Sequence, residues 1–219
     1  MLTNTKFKKT IKTPTPEMLK PGRNNKKLKG VIKKGAWKGL PIYSLTLEER
    51  ASCPSNCEQW DNCYGNNMPF ANRYDHTDPK FLKMLDVNLT MLEHKHPSGF
   101  VVRLHVLGDF FSKAYVEFWE DRLETHTALR VWGYTHHRSE SEIGRAVNKL
   151  NVSDKCAVRF SDDENTTFST TVAKNVDQAE IVRAKTGALI CPEQTGKTKN
   201  CGTCSLCWAS QKQIIFIEQ

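Results

Sequence analysis

The chain has 219 residues, of which 38% are hydrophobic, and a formal net charge of +8. This length allows one domain with a substantial core, and the lack of any run of eighteen apolar residues excludes a membrane-spanning helix. Eight cysteines behind a lysine-rich opening, with no apolar leader, argue against a secreted disulfide scaffold.

The charge is unevenly placed. Residues 1–38 hold twelve Lys or Arg and one acid, Glu17, while the remaining residues are net acidic. Pro14, Pro16, Pro21 and Gly22 interrupt this stretch, and no apolar periodicity runs through it. It reads as a basic, partly disordered arm (1–38) ahead of a single domain (39–219), and removal of residues 1–22 is expected to leave folding intact. Basic arms neutralise phosphates and release counterions, so nonspecific nucleic acid is the partner expected of it.

LPIYSLTL (40–47) alternates like a strand and leads into a cysteine loop, CPSNCEQWDNCYG. Phe81, Leu85, Leu89 and Leu92 then recur at helical spacing, and Pro97-Ser98-Gly99 ends the helix. FVVRLHV (100–106) is a buried strand, after which Ser112 can cap a helix carrying Tyr115, Phe118, Trp119 and Leu123. LRVWGYT (129–135) is a strand, followed by a helix with Ile143, Ala146, Val147 and Leu150. KCAVRFS (155–161) and TFSTTVA (167–173) are strands with no clear helix between them. A helix through Val176, Ala179 and Val182 precedes a last strand, ALIC (188–191), which runs into a cysteine. Repeated strand–helix units predict an α/β fold with a parallel sheet. The chain is short of the roughly 250 residues of a full eight-unit barrel. A partial or open β/α barrel is expected, with helices outside and cysteine-rich loops at both ends of the domain.

In such sheets ligands bind at the carboxyl ends of the strands. That rule selects His105, Gly108, Asp109 and Ser112 after 100–106, and Tyr134, Thr135, His136, His137 and Arg138 around the end of 129–135. Ser161, Asp162 and Asp163 follow 155–161. His105, Asp109, Ser112 and His136 are the catalytic candidates, with helix capping as the plain alternative for Asp109 and Ser112. The substrate class they suggest is a small molecule in a polar cleft.

Seven cysteines fall into two clusters, Cys53, Cys57 and Cys63, and Cys191, Cys201, Cys204 and Cys207. Closely spaced thiolates suit an iron–sulfur cluster or zinc. Seven ligands fall one short of two complete four-cysteine sites, which favours a 4Fe-4S cluster with one iron left open. A single shared centre joining both clusters is expected. Tyr64 and Trp208, with Gly108, are the residues placed to contact the group, and Trp60 could help shield it. Cys156 alternates with Val158 and Phe160 and reads as a core thiol with no part in metal binding.

CPSNC, CYG, GDFFS, GYT, CPEQ and the terminal Cys-x-x-Cys-x-x-Cys-Trp together resemble the phage gene product 88 family over most of residues 24–210. The resemblance implies a viral protein made in the cytoplasm of a bacterial host. The order of parts is also similar to radical S-adenosylmethionine enzymes, which carry a three-cysteine loop after the first strand of a partial barrel. That similarity implies S-adenosylmethionine as a cofactor, although Cys63 follows Cys57 after five residues and Leu107-Gly108-Asp109 replaces a Gly-Gly-Glu element. Three functions follow. The first is a phage iron–sulfur enzyme, in a hydrolytic, esterase-like form using His105 or His136 as base and Ser112 or water as nucleophile. The second is a radical-type enzyme, and the third a zinc module whose arm binds nucleic acid.

Overall fold

A computed structural model describes residues 3–163 and 165–218, so Met1 and Leu2 of the expected arm lie outside the described residues. The chain forms β1 (Ile11–Lys12), β2 (Lys20–Pro21), β3 (Ile42–Ser44), β4 (Arg73–Tyr74), α1 (Phe81–Lys95), β5 (Phe100–Leu104) and α2 (Lys113–Thr125). It continues through β6 (Leu129–Thr135), α3 (Glu142–Leu150), β7 (Cys156–Ser161), β8 (Ser169–Ala173), α4 (Val176–Thr186) and β9 (Leu189–Ile190). Two short helices, α5 (Cys201–Cys204) and α6 (Leu206–Ala209), precede β10 (Ile214–Ile217).

Eight strands form one sheet in the order β2-β3-β5-β6-β7-β8-β10-β9, while β1 and β4 pair separately. Only the β2–β3 pairing of the large sheet is antiparallel. The fold is therefore α/β, with a mostly parallel open sheet rather than a closed barrel. The β7–β8 step needs no helix because only Phe160↔Ser169 and Ser161↔Thr170 pair, so β8 starts beside the last residues of β7.

Strand alternation divides the core into two sides. Phe100, Val102 and Leu104 of β5, and Cys156, Val158 and Phe160 of β7, pack among residues of α1, α2 and α3. Cys156 occupies the expected core position, and its thiol meets Asn151 Oδ1 at 3.4 Å. Ser112, Ser141 and Asn175 cap α2, α3 and α4 by accepting from backbone N–H groups in the first turn. On the opposite side Val101, Trp132, Ala157 and Ile214 meet Leu28, Ile32 and Trp37, together with Cys191, Cys207 and Trp208.

Part of the segment read as an arm (1–38) packs on both sides of the sheet, with Met18 and Leu19 in the helix-side core and Leu28, Ile32 and Trp37 on the second side. Met18 and Leu19 are buried, Leu19 N–H donates to Asn88 Oδ1 at 2.8 Å, and Lys20-Pro21 forms the edge strand against β3. A proline is tolerated on an edge strand, so Pro21 does not break the structure there. The buried residues of this segment are irregularly spaced, which hides them from any periodicity test. Leu19→Ala should cost about 2–3 kcal/mol through cavity formation, read as a lower denaturant midpoint. A solvated arm would give no change.

Candidate metal-binding cavity

A cavity of about 800 Å³ opens on the second side of the sheet, and all seven clustered cysteines line it. Leu45 and Leu47 are buried where the first cysteine loop leaves β3, and two arginines then hold that loop. Arg73 is fully buried and pairs with Glu49 at 2.5 Å. It also donates to Ala71 O at 2.8 Å, Thr10 Oγ1 at 3.0 Å, Gly65 O at 3.1 Å and Met68 O at 3.2 Å. Arg50, at a left-handed φ of 66°, reaches Trp60 O at 3.0 Å and Asn66 Oδ1 at 2.8 Å. Cys53, Cys57, Cys63 and Tyr64 are carried between these anchors.

The second cysteine group arrives with the β9–β10 crossover. Asn200 caps α5 in a reciprocal capping box with Thr203. Cys201 N–H donates to Lys27 O at 2.8 Å and Lys33 N–H to Gly202 O at 2.8 Å, so residues 25–39 sit directly on α5. A Cβ at Gly202 would lie 2.6 Å from Val31 O, which explains a glycine there. Fully buried Arg159 of β7 fixes α6, donating to Cys207 O at 2.8 Å, Lys212 O at 2.9 Å and also to Ser210 O. Trp208 stacks on Trp37 at 5.8 Å and meets Trp132 at 4.9 Å.

All eight cysteines are free thiols. Burial raises Cys57 to about 11, Cys201 to about 12 and Cys207 to about 11, and pushes Cys53 higher still. Thiols held this way are protonated at neutral pH, and a bound metal would supply the charge that releases the protons. Cys53 feels Cys57 and Cys63, Cys201 feels Cys207 and Cys191, and Cys191 feels Cys204. The two ends of the chain thus meet at one cavity, with the thiols influencing one another within two sets of three and four. Among the described residues no three His, Cys, Asp or Glu side chains converge as they would on a single metal ion.

The catalytic candidates separate. Gly108, Asp109 and His136 line the cavity. Gly108 has φ +85°, and a Cβ there would lie 2.4 Å from Ser52 Oγ, so the backbone passes against the first cysteine loop. Both Asp109 oxygens accept backbone amides, from Phe110 and His136, each at 2.7 Å. Asp109 therefore ties the ends of β5 and β6 together, with the His136 ring 4.0 Å from its carboxylate. His105 also contributes to the wall, but its ring packs against Phe110 and Tyr115, with Nε2 3.0 Å from the Tyr115 hydroxyl. Ser112 is not among the lining residues, and its hydroxyl accepts Tyr115 N–H as the α2 cap. The serine nucleophile and histidine base of the hydrolytic reading are not brought together.

Burial, then Arg103, pushes His105 down to about 3 from its ordinary 6.5. A depressed histidine contributes stability that is present above 6.5 and is lost as pH falls toward its folded value. The wild-type protein should lose about 2–3 kcal/mol more than His105→Gln between pH 7 and pH 4.5. Equal losses in the two denaturation series would show that His105 is not held neutral.

Strand alternation also turns Arg103, Trp132 and Tyr134 to the cavity, where they line the wall. The strand-end rule passed over Arg103 and Trp132 because FVVRL and LRVWG read only as buried strands. Their alternation was the available signal. Tyr134 hydroxyl donates to Cys207 Sγ at 2.9 Å.

The family model for gene product 88 matches residues 17–210. The chain belongs to that family, and it is a phage protein. The matched span begins beside buried Met18 and ends just after α6, so it contains both cysteine groups and most of the cavity. No curated protein and no solved structure matches the chain. No helix among the described residues is long and apolar enough to cross a membrane.

Proposed function

We propose that this gene product 88 protein is an iron–sulfur enzyme acting on a small molecule in the host cytoplasm. Cys53, Cys57 and Cys63 hold a 4Fe-4S cluster with one iron free of protein thiolate, and Cys191, Cys201, Cys204 and Cys207 hold a second. The carrying observation is that thiols in sets of three and four line one cavity of a parallel sheet. Zinc asks four donors to converge at about 2.0–2.3 Å from one point. The thiolates of an iron–sulfur cluster bind different metal atoms, so the absence of a convergent trio does not count against it.

A cluster held by Cys53, Cys57 and Cys63 would leave one iron free of protein thiolate and would supply a redox-active or Lewis-acidic position there. The surrounding residues support that use. Tyr134 donates to the sulfur of Cys207, and hydrogen bonds to ligand sulfurs help set cluster potentials. Trp208, which packs against Trp37 and Trp132 on the same wall, is the side chain we propose to shield the four-cysteine side. His136, on the cavity wall with its ring near Asp109, is the group placed to move a proton. A radical reaction of S-adenosylmethionine is the second reading, favoured by the three-cysteine loop following the first parallel strand. Asp109, which stands where an acid would take the cofactor's amino group, already has both oxygens on backbone amides.

Protein purified without oxygen should carry iron and sulfide in about two 4Fe-4S equivalents per chain. Cys57→Ala and Cys204→Ala should each remove about half of the iron. Zinc without sulfide would overturn the proposal, and complete loss of iron in both variants would restore the single shared centre. Formation of 5′-deoxyadenosine from S-adenosylmethionine after reduction would select the second reading.

A further inference from the structure

Arg103 projects from the inner side of β5, alternating with buried Val101, and lines the cavity. Its guanidinium carbon lies 4.8 Å from the Trp132 ring and 4.6 Å from the Tyr134 ring. Two aromatic rings therefore orient the cation. Of the acids lining the cavity, three are engaged elsewhere, and Asp61, Asp162 and Glu218 form no ion pair with Arg103. Glu49 pairs with Arg73, Glu193 with Lys27, and Asp109 accepts two backbone amides. Among the described residues Arg103 has no carboxylate within ion-pair distance, and its hydrogen bond goes to the carbonyl of Leu104.

A half-buried guanidinium on a cavity wall gains from a counter-charge, and its planar fork matches carboxylate and phosphate oxygens. Both thiol sets share the cavity wall with Arg103, and the Tyr134 ring against which it lies donates its hydroxyl to Cys207 Sγ at 2.9 Å.

We infer that Arg103 is the anchor for an anionic group of the ligand, a carboxylate or a phosphate, seated between the three-cysteine and four-cysteine sets. The anion site stands on Arg103 and its rings alone. Its meaning as the substrate's anchor rests on the function proposed above.

The test is calorimetric titration of anaerobically purified full-length protein with inorganic phosphate and, separately, with succinate. Saturable binding of one or both is expected, and whichever binds identifies the preferred group. Arg103→Gln should bind at least about tenfold more weakly, with Arg103→Lys between the two. An unchanged unfolding midpoint in Arg103→Lys keeps that comparison valid if Arg103→Gln folds poorly. Absence of saturable binding by the wild-type protein would overturn the inference, because the loaded thiolates then already neutralise the cation. Equal binding by wild type and Arg103→Lys and Arg103→Gln would overturn it too. Iron measured on the same samples separates the readings. Arg103-dependent binding without iron retains the anchor and removes the cluster, whereas iron without binding does the reverse.

Discussion

Arg73→Met should destabilise the protein by about 3–5 kcal/mol, as expected when one partner of a buried ion pair is removed. Arg73 and Glu49 side chains are 0% and 1% exposed, so a lone Glu49 carboxylate would remain in the interior. The carbonyls of Gly65, Met68 and Ala71 would lose their donor at the same time. The damage should concentrate in the loop carrying Cys53, Cys57 and Cys63, and the iron proposed for that set should be lost first. Burial is the largest single influence and acts to raise Glu49, but the hydrogen bonds and charge of Arg73, together with bonds from Thr5 and the backbone, outweigh it and hold the carboxyl below its ordinary range. That pairing contributes stability present above the ordinary carboxylate range and lost as pH falls through the folded value. Glu49→Leu combined with Arg73→Met should recover part of the loss, because no buried charge is then left alone. Equal destabilisation in the single and double variants would assign the effect to the carbonyls rather than to the ion pair.

The parts legible in the sequence were those where local pattern and tertiary role coincide. LRVWGYT matches β6 residue for residue, and Cys156, Val158 and Phe160 face the helices as alternation requires. The strand-end rule brought Gly108, Asp109 and His136 to the cavity. It could not distinguish a cap from a nucleophile at Ser112, because both roles place a small hydroxyl just after a strand and before a helix. β10 was missed although Ile214-Ile215-Phe216-Ile217 has the β-branched and aromatic make-up of a buried strand. It follows the cysteine crossover and inserts between β8 and β9, out of chain order. The N-terminal segment was hidden for another reason. Met18 packs in the helix-side core while Leu28, Ile32 and Trp37 join the core on the other side of the sheet, so burial there follows contacts between distant segments and no local period. Arg73 and Arg159 looked like ordinary basic residues, since a buried arginine is recognised only by the carbonyls that surround it.

Arg159→Met should also destabilise the protein, by about 1–3 kcal/mol for each interior carbonyl left without its donor, but at the other end of the cavity. Its guanidinium donates to the carbonyls of Ser169, Cys207, Ser210 and Lys212, with no carboxylate among these partners. The Phe168 ring lies 4.2 Å from the guanidinium carbon. Methionine retains much of the apolar stem yet donates nothing, so interior carbonyls would be left without their partner. Those carbonyls join β8, α6 and the turn entering β10, all packed through one side chain of β7. Amide exchange should therefore accelerate first in residues 201–217, while β5, β6 and the amides facing α1 and α2 stay protected. On the proposed function, iron should leave the four-cysteine set and remain on Cys53, Cys57 and Cys63, the inverse of the Arg73→Met pattern. Uniform loss of protection across the sheet would mean that Arg159 supports the whole fold instead of the cysteine crossover. Loss of all iron in both arginine variants would mean that the two thiol sets do not load independently.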